Sequence, residues 1–302
     1  MKIAVLSCEP KAYSTSRLVK EGEQRGHQIR VVNPACCNLV IEQKKPFIYY
    51  QGKRLPKLDA IIPRIGTSAT FFSSAVIRQF EVMKTLTTLS SVSLIRTRDH
   101  LACIQALTKA GLDMPRTVFT NYSNDIQGMM DAVGGPPVII KLLSDNLKVE
   151  GVLAESAKSA ASVIEAFNDL RARMIVQEYV NEAAGEELIV FVVSGKVVGS
   201  IQRQGKVSYG KAHFIKKVLS KKVALSKEEE DAAVRAAAAL KLNVASINML
   251  RSFRGPLINQ INSSPSLRSI ELVTGENIAG AIFDYIENKG RLTAIEPLKI
   301  RA

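Results

Sequence analysis

The chain has 302 residues, 46% of them hydrophobic, enough to bury a full core in two or three compact lobes. Lys plus Arg number 41 against 28 Asp plus Glu, so the net charge of +13 favours polyanions such as nucleotide phosphates, RNA or an acidic protein surface. No apolar run reaches the roughly 18 residues of a membrane span. Cys8, Cys36, Cys37 and Cys103 form no C-x-x-C pair and have no His cluster beside them, which reads as a reduced, cytoplasmic protein without structural zinc.

Lys2–Leu6 reads as a first strand rather than a signal peptide, because its apolar run is too short. Ser14–Arg25 reads as a helix and Ile29–Val32 as a second strand, and Leu58–Ile62 is a third apolar run closed by Pro63. Thr70–Leu86 and Arg98–Ala110 read as helices, the second stopped by Gly111 and followed by Pro115. Gly134, Gly135, Pro136 and Pro137 punctuate a loop before the apolar strand Val138–Leu142. Ser159–Leu170 follows as a helix and Met174–Tyr179 as a strand. Glu187–Val193 and Lys196–Ile201 flank Ser194 and Gly195, a hairpin turn. Ser226 and Glu229 make a capping box for a helix over Lys227–Lys241. Ala245–Leu250 and Leu257–Asn262 form a last hairpin around Arg254 and Gly255, and Ile278–Asn288 closes the chain as a helix. Strands and helices alternate throughout, so the class is α/β, with α+β character in the C-terminal part.

The last hairpin carries the most chemistry. Side chains alternate along a strand, so Gln260 and Asn262 share a face. If the hairpin centres near Arg254, Asn248 lies opposite Gln260, and three amides converge. Ordinary polar pairing on a sheet surface explains such a patch equally well. Lys141 interrupts an apolar strand, an expensive place for a cation unless it meets an anion or snorkels from a strand edge. Between Glu187 and Glu228 there is no acid, yet the stretch carries Lys196, Arg203, Lys206, Lys211, Lys216, Lys217, Lys221, Lys222 and Lys227. It is either a solvated basic face or a contact surface for phosphate or nucleic acid.

The segment VASINMLRSFRGPLINQINSSPSL resembles the magnesium-binding core of ATP-grasp enzymes, where the pattern is close to D…E-x-N-x-S-P-G. LDAIIPRIGTSATFF, RQFE, IRTRDHL, VGGPP, IVQEY and TGENIAG extend the likeness over nearly the whole chain, to the RimK-like ligases that add glutamate to a ribosomal protein. The resemblance implies an ATP-grasp fold with an N-terminal pre-ATP-grasp α/β domain over 1–96, a central lobe over 97–180 and a C-terminal lobe over 181–302. It implies that Lys141 reaches the ATP phosphates. Gln177, Glu178 and Tyr179 would lie at the adenine hinge, with Glu178 accepting from the adenine amino group. Arg203 would face the phosphate tail or acyl phosphate, and Asn262 would be the third metal ligand.

The departures from that family gather where the chemistry happens. Asn248 stands for a metal-binding Asp and Gln260 for a bridging Glu, so shape is kept while two negative charges are deleted. Magnesium is usually held by one or two carboxylates plus phosphate oxygens, and is not expected to be held here as in the family. The glycine-rich phosphate loop is replaced by residues 144–150, with Gly151 out of register. His100 stands for a lysine, Glu187 for an aspartate, Ile189 for an arginine, and Ser266 for a glycine.

The sequence therefore reads first as a RimK-like pseudoenzyme that binds ATP weakly or not at all. Its expected partners are an active RimK-like paralogue, a ribosomal protein or the ribosome, or RNA, in a homo- or hetero-oligomer and away from membranes. An active ATP-dependent carboxylate–amine ligase and an RNA-binding protein using residues 196–227 are the alternatives.

Overall fold

A computed structural model describes residues 1–43, 45–66, 70–121, 125–143, 151–183, 185–204 and 219–295. The chain opens with β1 (Lys2–Ser7), α1 (Tyr13–Gln24) and β2 (Gln28–Val32). A small antiparallel sheet follows, made of β3 (Cys37–Val40), β4 (Phe47–Tyr50) and β5 (Lys53–Arg54). Then come β6 (Ala60–Arg64), α2 (Thr70–Val82) and β7 (Leu86–Thr87), and β2-β1-β6-β7 pair in parallel. The helices α3 (Ser91–Arg98) and α4 (His100–Lys109) lead out of this sheet.

The central part holds β8 (Thr117–Thr120), α5 (Ile126–Ala132), β9 (Val138–Leu142), β10 (Gly151–Ala154), α6 (Ala157–Asp169) and β11 (Met174–Glu178). Its antiparallel sheet has the order β10-β9-β11-β8. The remainder comprises β12 (Glu186–Val193), β13 (Lys196–Gln204), β14 (Leu219–Lys222), α7 (Lys227–Ala239), β15 (Val244–Ser252), β16 (Gly255–Asn262), α8 (Leu267–Thr274) and α9 (Ile278–Ile295). Here the antiparallel order is β14-β13-β12-β15-β16.

Strand periodicity explains how these layers join. Along β1, Ala4 and Leu6 enter one core while Ile3 and Val5 enter another. Along β12, Leu188, Val190 and Val192 join the first core, and Ile189, Phe191 and Val193 join the second. Both strands are buried on two faces and read as continuous apolar runs for that reason. The N-terminal and C-terminal sheets thus share two cores, with α7 contributing to one and α8 and α9 to the other. The central sheet packs α5 and α6 in a core of its own around Met130, Val138, Ile140, Ile164 and Val176.

Local signals place several boundaries well. Ser194 and Gly195 have φ of 51° and 74° and join β12 to β13 through a two-residue turn, where glycine removes the cost of a left-handed conformation. Ser226 accepts from the Glu229 amide at 3.1 Å, and Glu229 accepts from the Ser226 amide at 2.9 Å. Other boundaries differ from expectation. The helix expected over Arg98–Ala110 runs His100–Lys109, because Asp99 has ψ of 102°, accepts from the Ala102 amide and caps it, and α3 before it was not expected. The helix beginning at Thr70 stops at Val82, leaving Leu86 and Thr87 to pair beside β6. The β3–β5 sheet had no strong sequence signal, because its middle strand buries only Ile48 fully.

Candidate functional site

Lys141 sits on β9, between Gly151 of β10 and Ile175 of β11, so it is not at a sheet edge. A Cβ on residue 151 would come within 2.6 Å of Ile139 and 3.3 Å of the Lys141 stem, so glycine there leaves room for the lysine to lie. Lys141 Nζ donates to Gln177 Oε1 at 2.7 Å. Gln177 is 3% exposed, and its Nε2 donates to Thr117 Oγ1 at 3.0 Å. Burial pushes the Lys141 ammonium down to about 8, with the Glu187 carboxylate pulling the other way. His100 opens α4 nearby. Burial, and then the Lys141 charge, push it down to about 4, so it is neutral at pH 7.

Glu187 is the anionic centre of this cluster. It pairs across the sheet with Arg203, whose Nη2 donates to it at 2.6 Å. Its other oxygen accepts from Asn259 Nδ2 at 2.9 Å. Asn259 is available because β16 carries a bulge: Asn248 pairs with Gln260 and Met249 with Ile258, leaving Asn259 as the extra residue. Ile189, two residues along, is buried in the second shared core.

The register sets Asn248 opposite Gln260 and Ser246 opposite Asn262, so the three amides lie on one face of the β15–β16 ribbon. Asn262 Oδ1 already accepts from the Ser264 amide at 2.8 Å. Among the described residues no three His, Cys, Asp or Glu side chains gather as a metal site would need. Magnesium requires hard, charged oxygen ligands in a tight octahedron. Neutral amides, one of them engaged in its own turn, do not fit two such ions.

Glu178, expected from the resemblance to lie at an adenine hinge, is engaged from within the chain. Glu178 closes β11 and accepts from Arg254 Nη2 at 2.7 and 2.8 Å and from the Arg116 amide at 2.9 Å. Arg254 lies in the β15–β16 turn, beside Phe253, which is 95% exposed and whose amide donates to Glu182. Tyr179 is half-buried next to Glu178.

The structure thus gathers Lys141, Gln177, Glu187 and Arg203 with His100, and sets Glu178 against the turn between β15 and β16. Sequence reasoning missed Arg254, Asn259 and Thr117 as partners. Only Gly255, which ends the turn after Arg254, signalled that this arginine sits at a hairpin tip. Residues 144–150 lie outside the described residues, as do Lys206, Lys211, Lys216 and Lys217. Of the basic stretch that is described, Arg203 pairs with Glu187 and Lys222 with Glu276 at 2.8 Å. No helix among the described residues is long and apolar enough to cross a membrane.

Comparison with known proteins agrees with this architecture. Residues 1–94 match the RimK PreATP-grasp domain, and residues 97–286 match the RimK-like ATP-grasp domain. A probable alpha-L-glutamate ligase of Picosynechococcus sp. is 47% identical over 287 residues, covering 95% of both chains. One of Vibrio parahaemolyticus is 44% identical over 291 residues, covering 96% of this chain and 97% of that protein. Among solved structures, the ATP-grasp ligase PsnB complexed with minimal precursor, Mg and ADP superposes with a TM-score of 0.74 at 18% identity, covering 96% and 97% of the two chains. A RimK domain ATP-grasp protein of Sphaerobacter thermophilus gives 0.69 at 18% identity, covering 95% and 99%. The fold is that of the ATP-grasp ligases, and the chain belongs to the RimK-like ATP-grasp family.

Proposed function

We propose that this protein keeps the RimK-like scaffold for binding and has given up metal-dependent phosphoryl and acyl transfer. One observation carries the reading: Asn248 faces Gln260 where the family pattern has two acids. Electrostatic stabilisation of phosphoryl transfer depends on those metals. The pairing of Arg203 with Glu187, of Lys141 with Gln177 and of Glu178 with Arg254 supports it, since these four expected nucleotide contacts already have partners within the chain. Under this reading the chain works in an assembly, with an active RimK-like ligase, that ligase's ribosomal target or RNA, in the cytoplasm. ATP binding is weak and little dependent on magnesium, and the lobes divide at 1–96, 97–180 and 181–302. The test is ATP turnover by purified protein with magnesium and glutamate. No phosphate release is expected, and sustained release abolished by Lys141→Ala overturns the reading.

An active glutamate ligase is the second reading. It is favoured by identities of 47% and 44% over about the whole chain to proteins named probable alpha-L-glutamate ligases. It requires metal to be held without the two acids, and the same assay decides it.

A further inference from the structure

The small antiparallel sheet β3–β5 takes no part in the site described above. Side chains alternate along β4: Ile48 is fully buried in the first shared core, while Phe47 and Tyr49 share the opposite face. Gln51 and Gly52, with φ of 50° and 74°, turn the chain back into β5, and Arg54 comes level with Tyr49. The Arg54 guanidinium lies over the Phe47 ring, 4.2 Å from its centroid, and Phe47 meets the Tyr49 ring edge-on at 5.3 Å. Gln79 of α2 donates from its Nε2 to the carbonyl of Val40 at 2.9 Å, which ties this sheet to the helix beside it.

A cleft of about 520 Å³ runs between this sheet and the end of α2. Lys45, Arg54, Lys57 and Lys84 line it together with Phe47 and Val82, and no carboxylate does. All four cations are exposed, and among the described residues none has a carboxylate within ion-pair reach. The amides of Met83, Lys84 and Thr85 donate to the carbonyls of Gln79, Glu81 and Phe80, so the end of α2 has already spent these acceptors. A solvated basic face accounts for the lysines taken alone. It does not account for an aromatic ring with an arginine over it, set among four cations in a cleft without acid.

We propose that this cleft binds single-stranded RNA, with bases stacking on Arg54, Phe47 and Tyr49 and phosphates meeting Lys45, Lys57 and Lys84. Aromatic rings and arginine guanidinium planes accept splayed bases, and lysines follow the charge of the backbone. RNA loops and ends present such unstacked bases, whereas a double helix keeps its bases stacked inside. An acidic peptide matches the charge, but its carboxylates sit on flexible stems and offer no flat face to the ring and the guanidinium. The inference rests on the binding role proposed above, names RNA as the partner, and puts the contact away from residues 196–227.

Fluorescence anisotropy of the full chain with a labelled adenosine octamer at low salt tests the assignment. The competitors are the unlabelled octamer, the octamer annealed to its complement, an octaglutamate peptide and inorganic polyphosphate. Affinity is expected to fall with salt at a log–log slope of about −2, since each single-strand phosphate contact contributes about −0.7. Arg54→Lys keeps the charge and removes the planar surface, so it should cost about fivefold or more in affinity. Lys57→Gln and Lys84→Gln should each make the slope shallower by about 0.7. All three variants change exposed side chains, and their thermal midpoints are read alongside to show that the fold is kept. Competition by duplex, octaglutamate or polyphosphate as strong as that of the unlabelled octamer overturns the proposal, as does unchanged affinity in Arg54→Lys. A larger loss on changing Lys221 and Lys222 together to Gln than in Arg54→Lys overturns it too. ATP turnover reads the loss of catalysis separately, so failure of one reading is distinguishable from failure of the other.

Discussion

Arg254, in the turn between β15 and β16, brings its Nη2 to 2.7 and 2.8 Å from the two carboxylate oxygens of Glu178, the last residue of β11. One ion pair thereby ties the C-terminal sheet to the end of β11 in the central sheet. Seventy-six residues separate the two in sequence. Under the proposed reading, the same carboxylate is the group to which an adenine amino group would donate.

Arg254→Ala should therefore free the hinge. The pair is partly solvated, so its loss is expected to cost only about 0.2–1 kcal/mol of stability. The affinity for a fluorescent adenine nucleotide should rise, because Glu178 no longer has to give up a partner. An unchanged or lowered affinity in an equilibrium fluorescence titration would show that Glu178 is not withheld by Arg254.

Restoring the acids should restore metal binding. Asn248→Asp with Gln260→Glu puts two carboxylates opposite each other on β15 and β16. Calorimetric titration with magnesium plus ADP is expected to show a gain of about tenfold or more, equivalent to about 1.4 kcal/mol. Absence of any gain would mean that more than charge has been lost at this site.

Lys141 makes stability and nucleotide binding depend on pH in the alkaline range. Its folded value, about 8, lies below its ordinary 10.5, so the unfolded chain binds more protons between them. Stability should then rise with pH across that window, by about 3 kcal/mol at the upper limit, with the penalty present in full below about pH 8. Phosphate affinity should fall over the same range as the ammonium is lost. Urea denaturation at about pH 7.5 and about pH 9.5 reads the first effect, and Lys141→Met should flatten it.

His100 gives the corresponding acid limb. It is held down to about 4 from an ordinary 6.5, so the unfolded chain binds the extra proton first. Stability is expected to fall as pH drops through this interval and to level off below it. His100→Gln should remove this part of the acid sensitivity in the same denaturation series while leaving stability at neutral pH nearly unchanged.

Removing Glu187 should be the most costly change at the site. Glu187→Gln leaves Arg203 without its 2.6 Å partner and Lys141 without the carboxylate that raises its proton affinity. Breaking a buried pair costs about 3–5 kcal/mol, and the partial exposure of Arg203 points to the lower end. A thermal-denaturation midpoint equal to that of the unaltered chain would contradict a counter-ion role.

Much of this protein was legible along the chain because short-range rules govern it. The apolar runs of β1, β9, β11 and β12, the turn at Ser194 and Gly195, and the capping box at Ser226 and Glu229 depend on neighbours a few residues apart. The motif segments carried the family resemblance, and the expected opposition of Asn248 and Gln260 is found, although the turn register from Ser252 and Gly255 to Met249 and Ile258 alone would set Asn248 against Asn259 and the bulge moves it to Gln260. Other features needed the tertiary structure, because they join residues far apart in sequence. The alternation within β1 and β12 does not say that both faces are buried until two sheets share two cores. Asp99 separates α4 from a preceding helix, α3, that no sequence signal marked, and the Asn259 bulge turns an amide toward Glu187. Only folding shows that Lys141 lies mid-sheet, that Glu178 is held by Arg254, and that Lys57 and Lys84 line one cleft. Charge pairing and desolvation are set by distances in space, and a linear sequence does not contain those distances.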